Sequence, residues 1–152
     1  MRGYVASVRF APAPYTVSRD LVAAAAAVTP AEKARVIDDL FRTMTLYDNK
    51  AAEATARPLG DGRYEVTVRA TARKLRADGQ GVETEVPLDD WIDVGVFGAG
   101  DGVLFMEKRH VTTPDVTVTV TVSGRPARAG IDPYHKLVDR TPSDNERAVT
   151  LR

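Results

Sequence analysis

Few side chains in this sequence have the means to do chemistry, and their spacing decides how they are read. His110 and His135 lie at an expected strand end and in an expected loop. Neither has a second histidine at metal-ligand spacing, and there is no His-Glu-x-x-His, so both read as surface or capping residues. Asp89, Asp90 and Asp93 carry the oxygen chemistry of a hard-cation site, but the spacing of a calcium loop is missing. Period-two geometry also puts Asp93 on the face of Trp91 and not of Asp90. The cluster reads as a solvated entry to a strand. Gly98, Gly100 and Gly102 suggest a phosphate cradle, yet Val103 stands where a dinucleotide fingerprint needs its third glycine. That stretch reads as a hairpin loop. No Gly-x-Ser-x-Gly elbow frames a serine, and Thr117, Thr119 and Thr121 read as the wet face of a strand. These residues assign no catalytic, cofactor or metal site.

Composition narrows the class further. A chain of 152 residues suits one domain with a real core. Lysine plus arginine and aspartate plus glutamate each number 21, so the net charge is zero and nothing electrostatic argues for nucleic acid. The absence of cysteine excludes disulfides, thiolate zinc sites and cysteine nucleophiles. The most apolar run, Leu21 to Val28, falls well short of the roughly 20 residues of a membrane span. Met1-Arg2-Gly3-Tyr4 lacks the apolar core of a signal peptide. A soluble domain without direct membrane insertion is the expectation.

The elements that would position these groups fall into two kinds. Tyr4, Ala6, Val8 and Phe10 alternate loosely and fit either a short strand or a helix end. Ala11-Pro12-Ala13-Pro14 is a stiff connector. Ser18 is placed as an N-cap with Asp20 in the first turn, and alanines carry the helix to Ala27. Thr29-Pro30-Ala31-Glu32 reads as a capping box opening a second helix, on which Ile37, Leu40, Phe41 and Met44 form one apolar face. Asp38 with Arg42 and Arg35 with Asp39 are i,i+4 pairs on its wet side.

From about Ala51 the period becomes two. Ala52, Ala54 and Ala56 alternate with polar residues until Pro58, and Gly60-Asp61-Gly62 turns the chain. Tyr64, Val66, Val68, Ala70 and Ala72 then mark one buried face. Asp78-Gly79 signals a hairpin, followed by Val82, Thr84, Val86 and Leu88 facing one way. Trp91 to Phe97 reads as a central strand, Val116 to Val122 as the cleanest alternating one, and a last short strand lies near Ala127 to Gly130. Six or seven short strands predict a mostly β chain: an antiparallel, immunoglobulin-like β-sandwich preceded by two short α-helices. The expected division is a helical lead-in over 1–48, a sandwich over 49–140 and a frayed tail over 141–152.

Two stretches go beyond a generic β domain. They are Ile37-Asp38-Asp39-Leu40-Phe41 continuing through Thr45-Leu46-Tyr47-Asp48, and Gly130-Ile131-Asp132-Pro133-Tyr134-His135-Lys136-Leu137-Val138-Asp139-Arg140 with Pro142, Asp144 and Asn145. Together they resemble the C-terminal region of bacterial proteins that fuse an ABC-2-type permease to an M1-family (gluzincin) aminopeptidase. Tyr15 to Leu21 looks like the same family's last helical segment, and His135 stands where that family tends to carry asparagine. The resemblance implies a non-catalytic part, with the zinc-binding His-Glu-x-x-His upstream of Met1 and no cofactor in this chain. It implies as partners the upstream peptidase and membrane domains of one polypeptide, and hence tethering to a membrane. Ile37, Leu40, Phe41, Met44, Tyr134, Asp139 and Arg140 would then pack between domains. On this reading Ile131 to Arg140 reaches back over the junction, turning at Asp132-Pro133, with Asp139 and Arg140 as ion-pair residues. The rival reading is a free-standing immunoglobulin-like module that binds protein or carbohydrate through loops such as Gly98 to Gly102.

Overall fold

The computed structural model describes residues 2–152 as two compact units, divided between Met44 and Thr45. The first holds three helices where two were expected: α1 (Arg2–Val8), α2 (Ser18–Val28) and α3 (Ala34–Phe41). Ser18 is already helical, and Val17 stands at the cap, where its N–H donates to the Asp20 carboxylate at 2.9 Å. The side chain that caps α2 is therefore the acid in the first turn. Thr29 does not open a helix. It closes α2, its hydroxyl donating to the Ala25 carbonyl at 2.7 Å, and a 3-10 turn over Ala31–Lys33 leads into α3. Asp38 and Arg42 pair at 2.7 Å as their spacing predicts. At the end of α3 the Thr43 N–H and hydroxyl both donate to the Asp38 carbonyl, which turns the chain out of the helix before Met44.

The second unit is a β-sandwich whose first strand, β1 (Met44–Gly60), starts before the boundary expected at residue 48. It runs past Pro58, at a point where, among the described residues, one of its sides has no neighbouring strand and a missing N–H is tolerated. Asp61 and Gly62, with φ of 52° and 71°, form the two-residue turn into β2 (Arg63–Ala77). Positive φ at both positions is the twist a tight hairpin needs. The remaining strands are β3 (Glu83–Val86), β4 (Asp90–Phe97), β5 (Val103–Val111), β6 (Asp115–Ser123), β7 (Arg128–Ile131), β8 (Glu146–Ala148) and β9 (Thr150–Leu151). One sheet has the order β3-β2-β1-β9, with β6 also on β2; the other is β5-β4-β7-β8. β3 and β6 share one side of β2, paired with Lys74–Ala77 and Arg63–Thr71 respectively.

Both apolar clusters draw on both sheets. Val66, Val68 and Val122 meet Val96 and Ala129 in one, and Ala70 and Ala72 meet Ile92, Val111 and Ile131 in the other. Burial on this scale is what stabilises the sandwich. The period-two reading of β2 and β6 holds: Val66, Val68, Val118 and Val122 are buried, and Thr117, Thr119 and Thr121 face solvent. The row expected to follow Asp78-Gly79 does not hold, since Val82 is 61% exposed and Leu88 alone joins the core.

The end of the chain is not frayed. A 3-10 turn over Pro142–Asp144 leads to β8 on β7, and β9 then runs parallel to β1 through Thr55 with Thr150 and Ala56 with Leu151. The last residues thus pass from one sheet to the other, and not every strand pair is antiparallel. Among the described residues no helix is long and apolar enough to cross a membrane.

Candidate functional site

The polar side chains that sequence alone leaves scattered converge on β4 and the segment that follows β7. Asp93 lies between Ile92 and Val94, which face the core, so its carboxylate leaves by the opposite face of the sheet. It is nonetheless only 4% exposed. The solvated strand entry expected for the acidic cluster is therefore wrong at Asp93. Lys108, paired with it across β4 and β5, reaches it at 3.1 Å, and Lys136 at 2.6 Å. Burial raises the Asp93 carboxyl, but the two lysines outweigh it and hold the group below its ordinary range.

Lys136 belongs to a loop folded over β4. Asp132, with φ of 43°, is buried, and its carboxylate accepts the N–H groups of Lys136 and Leu137 at 3.0 Å each. Its own N–H donates to the Asp93 carbonyl at 2.7 Å. Burial pushes the Asp132 carboxyl up, against the lowering effect of those two N–H donors. Gly95 makes room for the loop: a Cβ there would come within 2.8 Å of Met106 Cε and 3.0 Å of Pro133 Cγ. Beyond it, Arg128 lies over the Phe97 ring at 3.9 Å and pairs with Asp101 and Glu146, while Tyr134 meets Phe97 edge-on. Each carboxylate oxygen of Asp93 and Asp132 is engaged by a donor. Chemically the array is a fastener for the loop.

The segment then runs along β1. Tyr47 donates its N–H to the Val138 carbonyl and accepts from the Arg140 N–H. The Asp139 carboxylate takes the N–H of Asn49 and of Thr141, while Arg140 pairs with Glu83 of β3. Of the two residues expected to form ion pairs, Arg140 does so and Asp139 binds backbone N–H groups instead. Tyr134 is 52% exposed. The other expected packing residues lie in the helical unit, where Ile37 is buried and Leu40 and Phe41 are 61% and 48% exposed. Met44 is not on that helix: it opens β1.

β4 is the central strand expected, lying between β5 and β7, yet Trp91 near its start is 48% exposed and stacks on His110 at 5.0 Å. The His110 Nε2 lies 2.6 Å from an Asp89 oxygen. Asp90 instead accepts from the fully buried Lys74 at 2.9 Å and from the Tyr47 hydroxyl at 3.0 Å. Lys74 was legible, because it continues the inward row of Val66, Val68, Ala70 and Ala72. The Gly98 to Gly102 stretch is the hairpin loop expected, closed by the Gly98 N–H on the Gly102 carbonyl, and it lies at the opposite end of β4 from Trp91. His135 is exposed, and its N–H donates to the Asp132 carbonyl. Comparison of the chain with protein-family models, curated proteins and solved structures finds no match.

Proposed function

We propose that this chain is a non-catalytic supporting module, a β-sandwich whose helical lead-in packs against a larger helical body. The observation that carries this reading is the imbalance between the two units. The sandwich builds a core from both sheets, whereas in the helical unit Ile37 is the one buried residue among the described ones. Val36, Leu40 and Phe41 leave apolar surface on an eight-residue helix, too short to be stable in water without packing. The family resemblance names the body: the peptidase region of an ABC-2 permease/M1 aminopeptidase fusion, which would carry the zinc and the membrane domains. The strand orders β1-β2-β6 and β5-β4-β7-β8 support an immunoglobulin-like sandwich, in which strands A-B-E face C′-C-F-G.

Immunoblotting of source-cell fractions with an antibody to this chain tests the proposal. A membrane-fraction band several times larger than 16.5 kDa is the expected result. A soluble band at 16.5 kDa would overturn it.

The exposed Trp91–His110 stack favours the second reading, a module that binds protein or carbohydrate. Trp91 is the sole tryptophan, so its fluorescence reports directly on an occupied platform. A saturable change on titration with an oligosaccharide panel, lost in Trp91→Ala, is the result that reading requires.

A further inference from the structure

A sheet edge is a row of N–H and C=O groups ready to pair with another strand, and stable proteins blunt such edges. Three of the edges here are blunted by recognisable means. The outer edge of β1 is occupied by Val138, Asp139 and Arg140 near Tyr47 and Asn49, by the Arg147 guanidinium on the Ala51 carbonyl, and by β9 with Arg152 at Thr55 and Ala56. β5 carries the charged run Glu107-Lys108-Arg109. β3 is four residues long with Glu83 and Glu85.

β6 has none of these devices. Nine residues, Asp115-Val116-Thr117-Val118-Thr119-Val120-Thr121-Val122-Ser123, hold no proline, glycine or lysine and one charge, at the end. Among the described residues β6 pairs with β2 alone, in unbroken register from Asp115 to Ser123. Its inward row is buried at Val118 and Val122 and only partly buried at Val116 and Val120, which pack at the margins of the two apolar clusters.

We propose that this edge is a self-association site at which β6 pairs antiparallel with β6 of a second copy. The sequence argues for a second copy because it is complementary to itself. A two-fold axis at Thr119 is the register that pairs all nine residues. It sets Val118 against the partner's Val120, Val116 against the partner's Val122 and Thr117 against the partner's Thr121. The one charge, Asp115, meets the partner's neutral Ser123, so no like charges oppose each other. The same pattern already operates within the chain, where Val118 and Val120 pair with Val68 and Val66 and the Thr119 and Thr67 hydroxyls lie 3.1 Å apart. A two-fold contact of one edge with itself closes after two copies.

Sedimentation velocity across micromolar to near-millimolar chain concentrations tests this, with wild type, Thr119→Lys and Thr119→Glu. Thr119 faces solvent, so both substitutions spare the core. The expected result is a wild-type species of twice 16.5 kDa, each variant monomeric through like-charge opposition, and a dimer restored on mixing the two variants. Recovery on mixing also shows that both variants are folded. A wild type that stays monomeric, variants that dimerise as the wild type does, a mixture that stays monomeric, or open-ended polymers would each overturn the proposal.

Discussion

Two long edges of the sandwich, those of β1 and β6, are opposites. β1 is alanine-rich and punctuated by Asp48, Lys50, Glu53 and Arg57, and its outer side is sealed by chain that follows much later. β6 is a regular valine–threonine repeat with no strand paired to its outer side among the described residues. The strand with the weaker pairing sequence has thus received the cover, and the strand with the stronger one has been left open. Pairing strength in a sheet lies in cross-strand side chains, and β-branched residues supply it where alanine does not. Cover and sequence do different jobs. The first fixes the fold at β1, and the second makes β6 available.

Substitutions should separate the two roles. The largest effect is expected at Gly130, where a Cβ would fall onto the Asn145 carbonyl oxygen and within 2.8 Å of Glu146 Cα. Gly130→Ala must lift β8 off β7, and a loss of about 3 kcal/mol or more is expected in chemical denaturation, the upper end for overpacking against backbone. Next is Asp139→Ala, which strips the acceptor from the Asn49 and Thr141 N–H groups. A loss of about 2 kcal/mol fits hydrogen bonds to a charged acceptor. An unchanged midpoint would show that the cover on β1 is ornamental.

Asp93→Asn loosens the loop from which the cover departs. Its cost should be about 1–2 kcal/mol, less than for a fully buried pair because Lys108 and Lys136 remain half in solvent. The Asp93 carboxyl lies below its ordinary value when folded, so its contribution is complete above that value and is lost as pH falls through the folded one. The gap between wild type and Asp93→Asn should therefore be constant at neutral pH and close in acid, below about pH 4. Asp132, raised by burial, runs the other way: its charge costs stability at neutral pH and acid relieves that cost. The smallest effect is expected on β6, where Thr119→Lys, compared with wild type at concentrations too low for pairing, should shift stability by less than about 0.5 kcal/mol, as exposed substitutions do. A larger shift would mean that this edge holds the fold as well.

What the sequence reveals follows from how local each signal is. The alternation in β2 and β6 is carried by adjacent residues, and it predicts which valines are buried. The turn at Asp61-Gly62 is equally local. Asp93 is misread because a loop about forty residues later covers it, and no period in β4 announces that. The tail is misread for the same reason, since its polar composition suits a loop and its order comes from β7 and β1. Leu40 and Phe41 form the expected apolar stripe, but helical spacing gives no word on what covers it. Met44 matches that stripe by spacing alone, while Thr43 has already turned the chain aside.

The cover on β1 also sets a timetable. Asp139 joins Asn49 across a separation of 90 residues. At cellular synthesis rates of about 5–20 residues per second, that leaves β1 waiting roughly 5–20 s on the ribosome for its seal. A waiting strand built of valine and threonine would be an invitation to neighbouring nascent chains. Alanines interrupted by charge make β1 a poor partner for strangers until its own segment emerges. The plainness of that strand is a safeguard against misassembly during translation.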